Sequence, residues 1–259
     1  MKRTLLSLVV VALLATSSLA QAAGLNLAWD DCGAGGHCDK AFACDGNTGA
    51  PFTLVASFVP PAGTTRVSGE EVWLEVFSYG GYLPSWWTFR NAGACRQTSL
   101  QASIDFPSAG LTRCEDYWSA MGAGGVASYN MQYVGSGDRA LLFMIFAVPI
   151  ETTGPMDASR EYYSCLVRIL RDKTTGAGAC AGCTTPMAMR LDKVSLTQPA
   201  GVGDFRITNP VTLSPSYDSR IATWQHGSYR YPNSLQYWSC PAAVPVHRST
   251  WGSIKAQYR

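Results

Sequence analysis

The sequence predicts an all-β protein: an antiparallel β-sandwich of immunoglobulin-like or jelly-roll type, with a C-terminal extension wrapped on it and a short terminal helix. Three observations carry this. Roughly nine or ten short runs have strand character, by alternation or by continuous apolarity. Clusters of Gly, Pro and Asp separate them, drawn from 25 Gly and 14 Pro in 259 residues. Helical periodicity is almost absent.

In chain order, residues 25–29 (LNLAW) alternate, as do 52–58 (FTLVASF), with Phe52, Leu54, Ala56 and Phe58 expected to face inward. Residues 72–77 form a short buried-looking run, and 100–106 and 126–134 alternate again. Residues 140–148 are apolar without a break, as expected of a central strand covered on both faces. Strands over 161–170, 187–196 and 205–208 complete the set. Short helices are expected at 114–121 and 250–259, the latter capped by Ser249 or Thr250 with Trp251 and Ile254 on one face. From residue 211 the strand periodicity fades and Ser, Tyr, Trp and Pro accumulate. Trp224, Trp238 and Trp251 argue against a disordered tail. Three segments follow: 1–23, a sandwich domain at 24–210, and an aromatic-rich extension at 211–259 packed on it.

Segment 1–23 reads as an address. Lys2 and Arg3 precede an apolar run over 4–14, and small residues up to Ala22 and Ala23 supply cleavage sites of the A-x-A type. The run is too short to span a bilayer comfortably, so a secretory signal peptide is expected rather than an anchor. No transmembrane segment follows, and the mature chain is placed in the periplasm, at the cell surface or outside the cell. Removing Lys2 and Arg3 leaves 18 basic against 18 acidic residues. That near-neutral balance disfavours nucleic acid as a partner.

All nine cysteines lie beyond the signal, and export makes disulfides their expected state. Proximity in sequence favours Cys32–Cys44, Cys95–Cys114 and Cys180–Cys183. An odd count leaves one thiol over. Alternation in 161–170 puts Cys165 on a face with Tyr163, Val167 and Ile169, so Cys165 is expected to be reduced, buried and inert.

Chemistry-bearing motifs are few. The cluster at 30–47 holds Asp30, Asp31, Cys32, His37, Cys38, Asp39, Cys44 and Asp45. Its cysteine spacing is not that of a zinc knuckle, and Asp45 begins a calcium-like loop that lacks the remaining ligands. It is read as a disulfide-tied turn, with no metal or cofactor implied. Cys180 and Cys183 have C-x-x-C spacing but no helix to stabilise a thiolate. Nucleophile-elbow, zincin, P-loop and dinucleotide motifs are missing, and His37, His226 and His247 have no partner recognisable by spacing. Glu70, Glu71, Glu75, Glu115 and Asp116 show no sign of a glycosidase pair. The stretch 79–89 is the best binding candidate: Tyr79, Tyr82, Trp86 and Trp87 offer flat apolar rings with polar tips. Adjacent tryptophans in an extended segment point oppositely, so at least one of the two belongs to the core.

The strings LNLAWDDCG (25–33), FAC (42–44), LPSWWTF (83–89), ACAGC (179–183) and TWGSIKAQYR (250–259) resemble a family of exported, β-rich bacterial proteins. The resemblance implies an exported β-rich single domain and carries over no catalytic residue. The functional expectation is a secreted extracellular binding or structural module whose partner is a glycan or a cell-surface protein. The alternatives are a secreted hydrolase acting on polysaccharide or protein, and a subunit of a surface assembly docked through its C-terminal extension.

Overall fold

Alternating side chains become two packed sheets. The structure, a computed structural model, describes residues 22–131, 137–232, 234 and 236–240. Its strands are β1 (Gly24–Trp29), β2 (Asp39–Lys40), β3 (Phe52–Val59), β4 (Gly69–Ser78), β5 (Leu100–Ser103), β6 (Ala123–Asn130), β7 (Arg139–Ala147) and β8 (Tyr162–Ile169). They continue as β9 (Met187–Thr197), β10 (Phe205–Ile207), β11 (Leu213–Ser214), β12 (Tyr217–Asp218), β13 (Ile221–Trp224), β14 (Ser228–Arg230) and β15 (Tyr237–Ser239). One sheet has the order β1-β3-β8-β5; the larger runs β2-β13-β9-β4-β7-β6, with β10 also on β9. Pairing between named strands is antiparallel except for β2 with β13.

The core lies between the sheets. Phe52, Leu54, Ala56 and Phe58 are all at most 2% exposed within it, as the alternation predicts. From the larger sheet, Val72, Leu74 and Val76 of β4 and Leu142, Met144 and Phe146 of β7 meet them. β7 is flanked by β4 and β6, which places it inside the sheet. The expectation that both its faces are covered holds only at its Arg139 end: Ile145 is 44% exposed and Ala147 is exposed too. The free edge at β6 is blunted by side chains. Arg90 and Asn91 donate to the carbonyls of Val126 and Tyr129, occupying acceptors that a stray strand would otherwise use.

Two secondary-structure expectations change. No helix forms at 114–121. Ser119 and Ala120 have left-handed backbones, and Glu115 is bridged to Tyr162, so the segment is drawn out along β8 while Trp118 fills the core. The helical pieces with described caps are three-residue 3-10 turns. Nor is 211–240 only a cover: β13 is a full member of the larger sheet, and the β14–β15 hairpin lies on that sheet's outer face. Residues 1–21 and 250–259, with the expected signal and terminal helix, fall outside the described residues.

The cysteine pairing also differs from the expected one. The bonds are Cys32–Cys114, Cys38–Cys240, Cys44–Cys183 and Cys95–Cys180, not Cys32–Cys44, Cys95–Cys114 or Cys180–Cys183. The reason is topological. The chain changes sheet at most of its connections, so loops distant in sequence meet at the ends of the sandwich while sequence neighbours diverge. Segment 32–44, read above as a turn tied to itself, is instead bonded to three different regions. Each bond closes a loop of at least 82 residues, worth about 4–5 kcal/mol taken alone in the chain-entropy model. Such bonds belong to a protein that matures outside the reducing cytosol. Among the described residues no helix is long and apolar enough to cross a membrane.

Cys165 is the free thiol and is fully buried, 4.0 Å from the sulfur of Met144. Burial, and then the nearby Glu70 carboxyl, push its pKa well up. A non-reduced peptide map after alkylation in native buffer is expected to show the four crossed bonds and unlabelled Cys165. Labelling should appear only after denaturation; rapid native labelling would contradict this placement.

Candidate functional site

The stretch 79–89 divides into an exposed half and a buried half. β4 ends at Ser78, and the chain turns through Gly81, whose φ of 80° a side chain disfavours. The turn leaves Tyr79 and Tyr82 64% and 65% exposed. The following Ser85–Trp87 turn sends both tryptophans inward, Trp86 to 0% and Trp87 to 1% exposure. Trp86 and Trp87 are thus core residues and leave the candidate binding set. Each packs 5.2 Å from Trp224, and the buried Arg96 guanidinium lies 3.6 Å over Trp86. Arg96 is itself held by the carbonyls of Trp86, Leu170 and Asp172. A 3-10 turn, unlike the extended strand assumed from sequence, does not force neighbouring side chains to opposite faces.

The structure adds a third ring. Tyr237 on β15 lies 5.3 Å from Tyr79 with the planes at 69°, and is 42% exposed. The guanidinium of Arg230 sits 5.8 Å from the Tyr237 ring, and its Nη1 donates to the tyrosine hydroxyl at 3.4 Å. The hairpin carrying Tyr237 is anchored from below. Tyr229 is fully buried against Phe77, Ala188 and Ile221, and its hydroxyl donates to Glu75 at 2.8 Å. Tyr237 could not be found from sequence, because only the hairpin's seat on the sheet brings it to Tyr79.

A second feature is a cleft of about 950 Å³ whose lining includes His37, Asp39, Tyr217, His226, Ser239 and the Cys38–Cys240 disulfide. The β13–β14 turn sets one wall, with Gln225 and His226 both left-handed at φ 53° and 58°. Residues other than glycine occupy that region infrequently, and the turn holds because its surroundings over-determine it. Gln225 donates to the carbonyl of Phe42 at 2.7 Å, and Asp39 receives both the backbone N–H and the ring Nδ1 of His226, at 3.1 and 2.5 Å. Thr223 Oγ1 donates to the same carboxylate at 2.5 Å. Among the described residues no hydroxyl is hydrogen-bonded to the other ring nitrogen of His226, so a Ser–His–Asp relay is not assembled here.

Two other clusters of titratable groups offer no site. The sulfurs of Cys32 and Cys114 and the Glu161 carboxylate lie within 4.8 Å of one another, but the sulfurs are bonded to each other and have no thiolate to give a metal. Glu70 faces into the core at 1% exposure, receiving the hydroxyls of Tyr117 and Ser164. Its pKa is pushed up to about 7 by burial, against the pull of those two donors. It is enclosed and has no route to a ligand.

Fold and surface define a class: a disulfide-braced, all-β sandwich that presents a pair of exposed tyrosine rings and a surface cleft. Compared with protein-family models, curated proteins and solved structures, the chain matches none of them.

Proposed function

We propose that this is an exported binding module that takes an extracellular glycan on the face formed by Tyr79, Tyr82 and Tyr237. The observation that carries the reading is the Tyr79–Tyr237 pair, two exposed rings 5.3 Å apart. A tyrosine ring offers an apolar face to the C–H surface of a sugar and a hydroxyl to its polar rim. Three such rings are a small target. A stable protein–protein interface needs about 800 Å² on each partner, so a glycan fits the patch better than a cell-surface protein. The hydrolase reading draws on the oriented His226–Asp39 pair, but among the described residues no hydroxyl is hydrogen-bonded to the free ring nitrogen of His226.

Glycan-array screening of the mature chain, alongside Tyr79→Ala and Tyr237→Ala, tests the proposal. Loss of a stacking ring worth about 1 kcal/mol is expected to weaken binding roughly fivefold in each variant. Equal binding by wild type and both variants would overturn it.

A further inference from the structure

Three tyrosine–tyrosine ring contacts occur among the described residues: Tyr79 with Tyr237, Tyr117 with Tyr162, and Tyr229 with Tyr231. We propose that the first is an oxidative cross-linking site, at which a peroxide-driven one-electron oxidant joins Tyr79 to Tyr237 as dityrosine, whether or not the same face takes a glycan.

Coupling needs two phenols that an oxidant can reach and two rings that are already neighbours. Tyr79 and Tyr237 are 64% and 42% exposed, with ring centroids 5.3 Å apart and planes at 69°. An edge-to-face pair presents ring carbons of one partner to the other. Closing them to a carbon–carbon bond asks for an approach of about 1 Å and a turn of the side chains, and motion of that size is ordinary for a folded protein. Tyr79 directly follows the end of β4 and Tyr237 opens β15, so two separate backbone elements hold the rings together. The Tyr237 hydroxyl oxygen accepts from Arg230 Nη1 at 3.4 Å, which leaves its own proton free to pass to water. The other two pairs are shielded. Tyr162 and Tyr229 are buried, and Tyr117 donates its hydroxyl to the enclosed Glu70. Tyr82 is as open as Tyr79 but has no tyrosine ring against it among the described residues.

The step balances with hydrogen peroxide as the terminal oxidant and a haem peroxidase as carrier. Each phenol gives up one electron and one proton, and the two phenoxyl radicals join at carbons ortho to the oxygens. The displaced ring hydrogens return to those oxygens, so both hydroxyls survive. One carbon–carbon bond forms, two carbon–hydrogen bonds are lost, and peroxide leaves as two waters. Cys240 already ties the far end of β15 to Cys38, so the new bond fixes this strand at both ends. Export into an oxidising compartment, which the disulfides imply, is where such oxidants act.

The test treats the dilute mature chain, disulfides intact, with a haem peroxidase and hydrogen peroxide. The expected product is a monomer lighter by two hydrogens, with dityrosine fluorescence and a linked Tyr79–Tyr237 peptide on mapping after disulfide reduction. Tyr79→Phe and Tyr237→Phe are each expected to lose this product, because phenylalanine forms no phenoxyl radical, whereas Tyr82→Phe retains it. Unfolding the wild-type chain in urea before oxidation should also abolish it, which separates the folded geometry from mere reactivity. Thermal melts show that each variant is folded. Cross-linked dimers without the intramolecular product, or an intramolecular product that survives Tyr79→Phe or Tyr237→Phe, would overturn the proposal.

Discussion

Replacing Glu75 by alanine is expected to destabilise the fold by about 3–5 kcal/mol. Glu75 lies on the outer face of β4 at 1% exposure, beneath the β14–β15 hairpin. It is ion-paired to Arg139 and to Arg190, the latter at 3.3 Å, and accepts the Tyr229 hydroxyl at 2.8 Å. The side chain of Arg139 is only 4% exposed, stacks 4.3 Å over Phe77, and donates to the Arg230 carbonyl at the hairpin's edge. Alanine removes the only carboxylate paired with this guanidinium among the described residues and strands a buried positive charge. The penalty comes from that orphaned charge rather than from the worth of the pair, so a double Glu75→Met, Arg139→Met variant should recover most of the loss. Arg190 retains Asp192 at 2.5 Å in that background. Urea unfolding of the three proteins checks this; a loss below about 1 kcal/mol in Glu75→Ala would show that the network is not holding the hairpin. Because that hairpin carries Tyr237, the single variant should also weaken ligand capture.

The second large effect depends on pH. Glu70 keeps its proton in the folded protein up to about pH 7, whereas its ordinary value is 4.5. Burial disfavours the anion, and among the described residues no cationic side chain contacts it. Below pH 4.5 both folded and unfolded chains hold the proton, and the group's contribution is fully present. Between 4.5 and about 7 the unfolded chain has ionised and the folded one has not, so stability falls by about 1.4 kcal/mol per pH unit. Above that window the contribution is gone, a loss of about 3 kcal/mol. Glu70→Gln keeps the shape without the titration. It is expected to match wild type in acid and to exceed it by up to about 3 kcal/mol at pH 8. Stability curves that run parallel from pH 4 to 8 would contradict the assignment.

Residues 52–58 and 187–196 show why the sheets were legible in the sequence. Residues 52–58 carry an apolar residue at every second position over a length that only a strand supports, while 187–196 keep that spacing through Leu191 and resume it one residue out of phase at Val194, across an irregularity in the pairing with β4; β3 and β9 appear there within a residue of the expected bounds. Cys165 was legible for the same reason, since its neighbours at i±2 declare its face. What stayed hidden depends on contacts between residues far apart in sequence. The pairing of Cys44 with Cys183, or Tyr237 with Tyr79, follows from how the sheets stack, which no local pattern encodes. Trp86 and Trp87 misled because their segment turns as a 3-10 helix instead of extending. His226 carried no signal of its own, because its partner Asp39 comes from the parallel β2–β13 pairing. Even Glu70 and Glu71, side by side in sequence, differ wholly in environment. Register alone puts the first in the core and leaves the second half-buried on the opposite face.

Covalent footprinting of tyrosine in the mature chain, with and without a saturating glycan identified on the array, addresses the binding face most directly. Tyr79, Tyr82 and Tyr237 are expected to react freely in the unliganded protein and to be protected together on binding. The buried Tyr229 should stay unreactive in both states. Unchanged reactivity of Tyr79 and Tyr237 at saturation, with protection appearing elsewhere on the molecule, would contradict the assignment of this face.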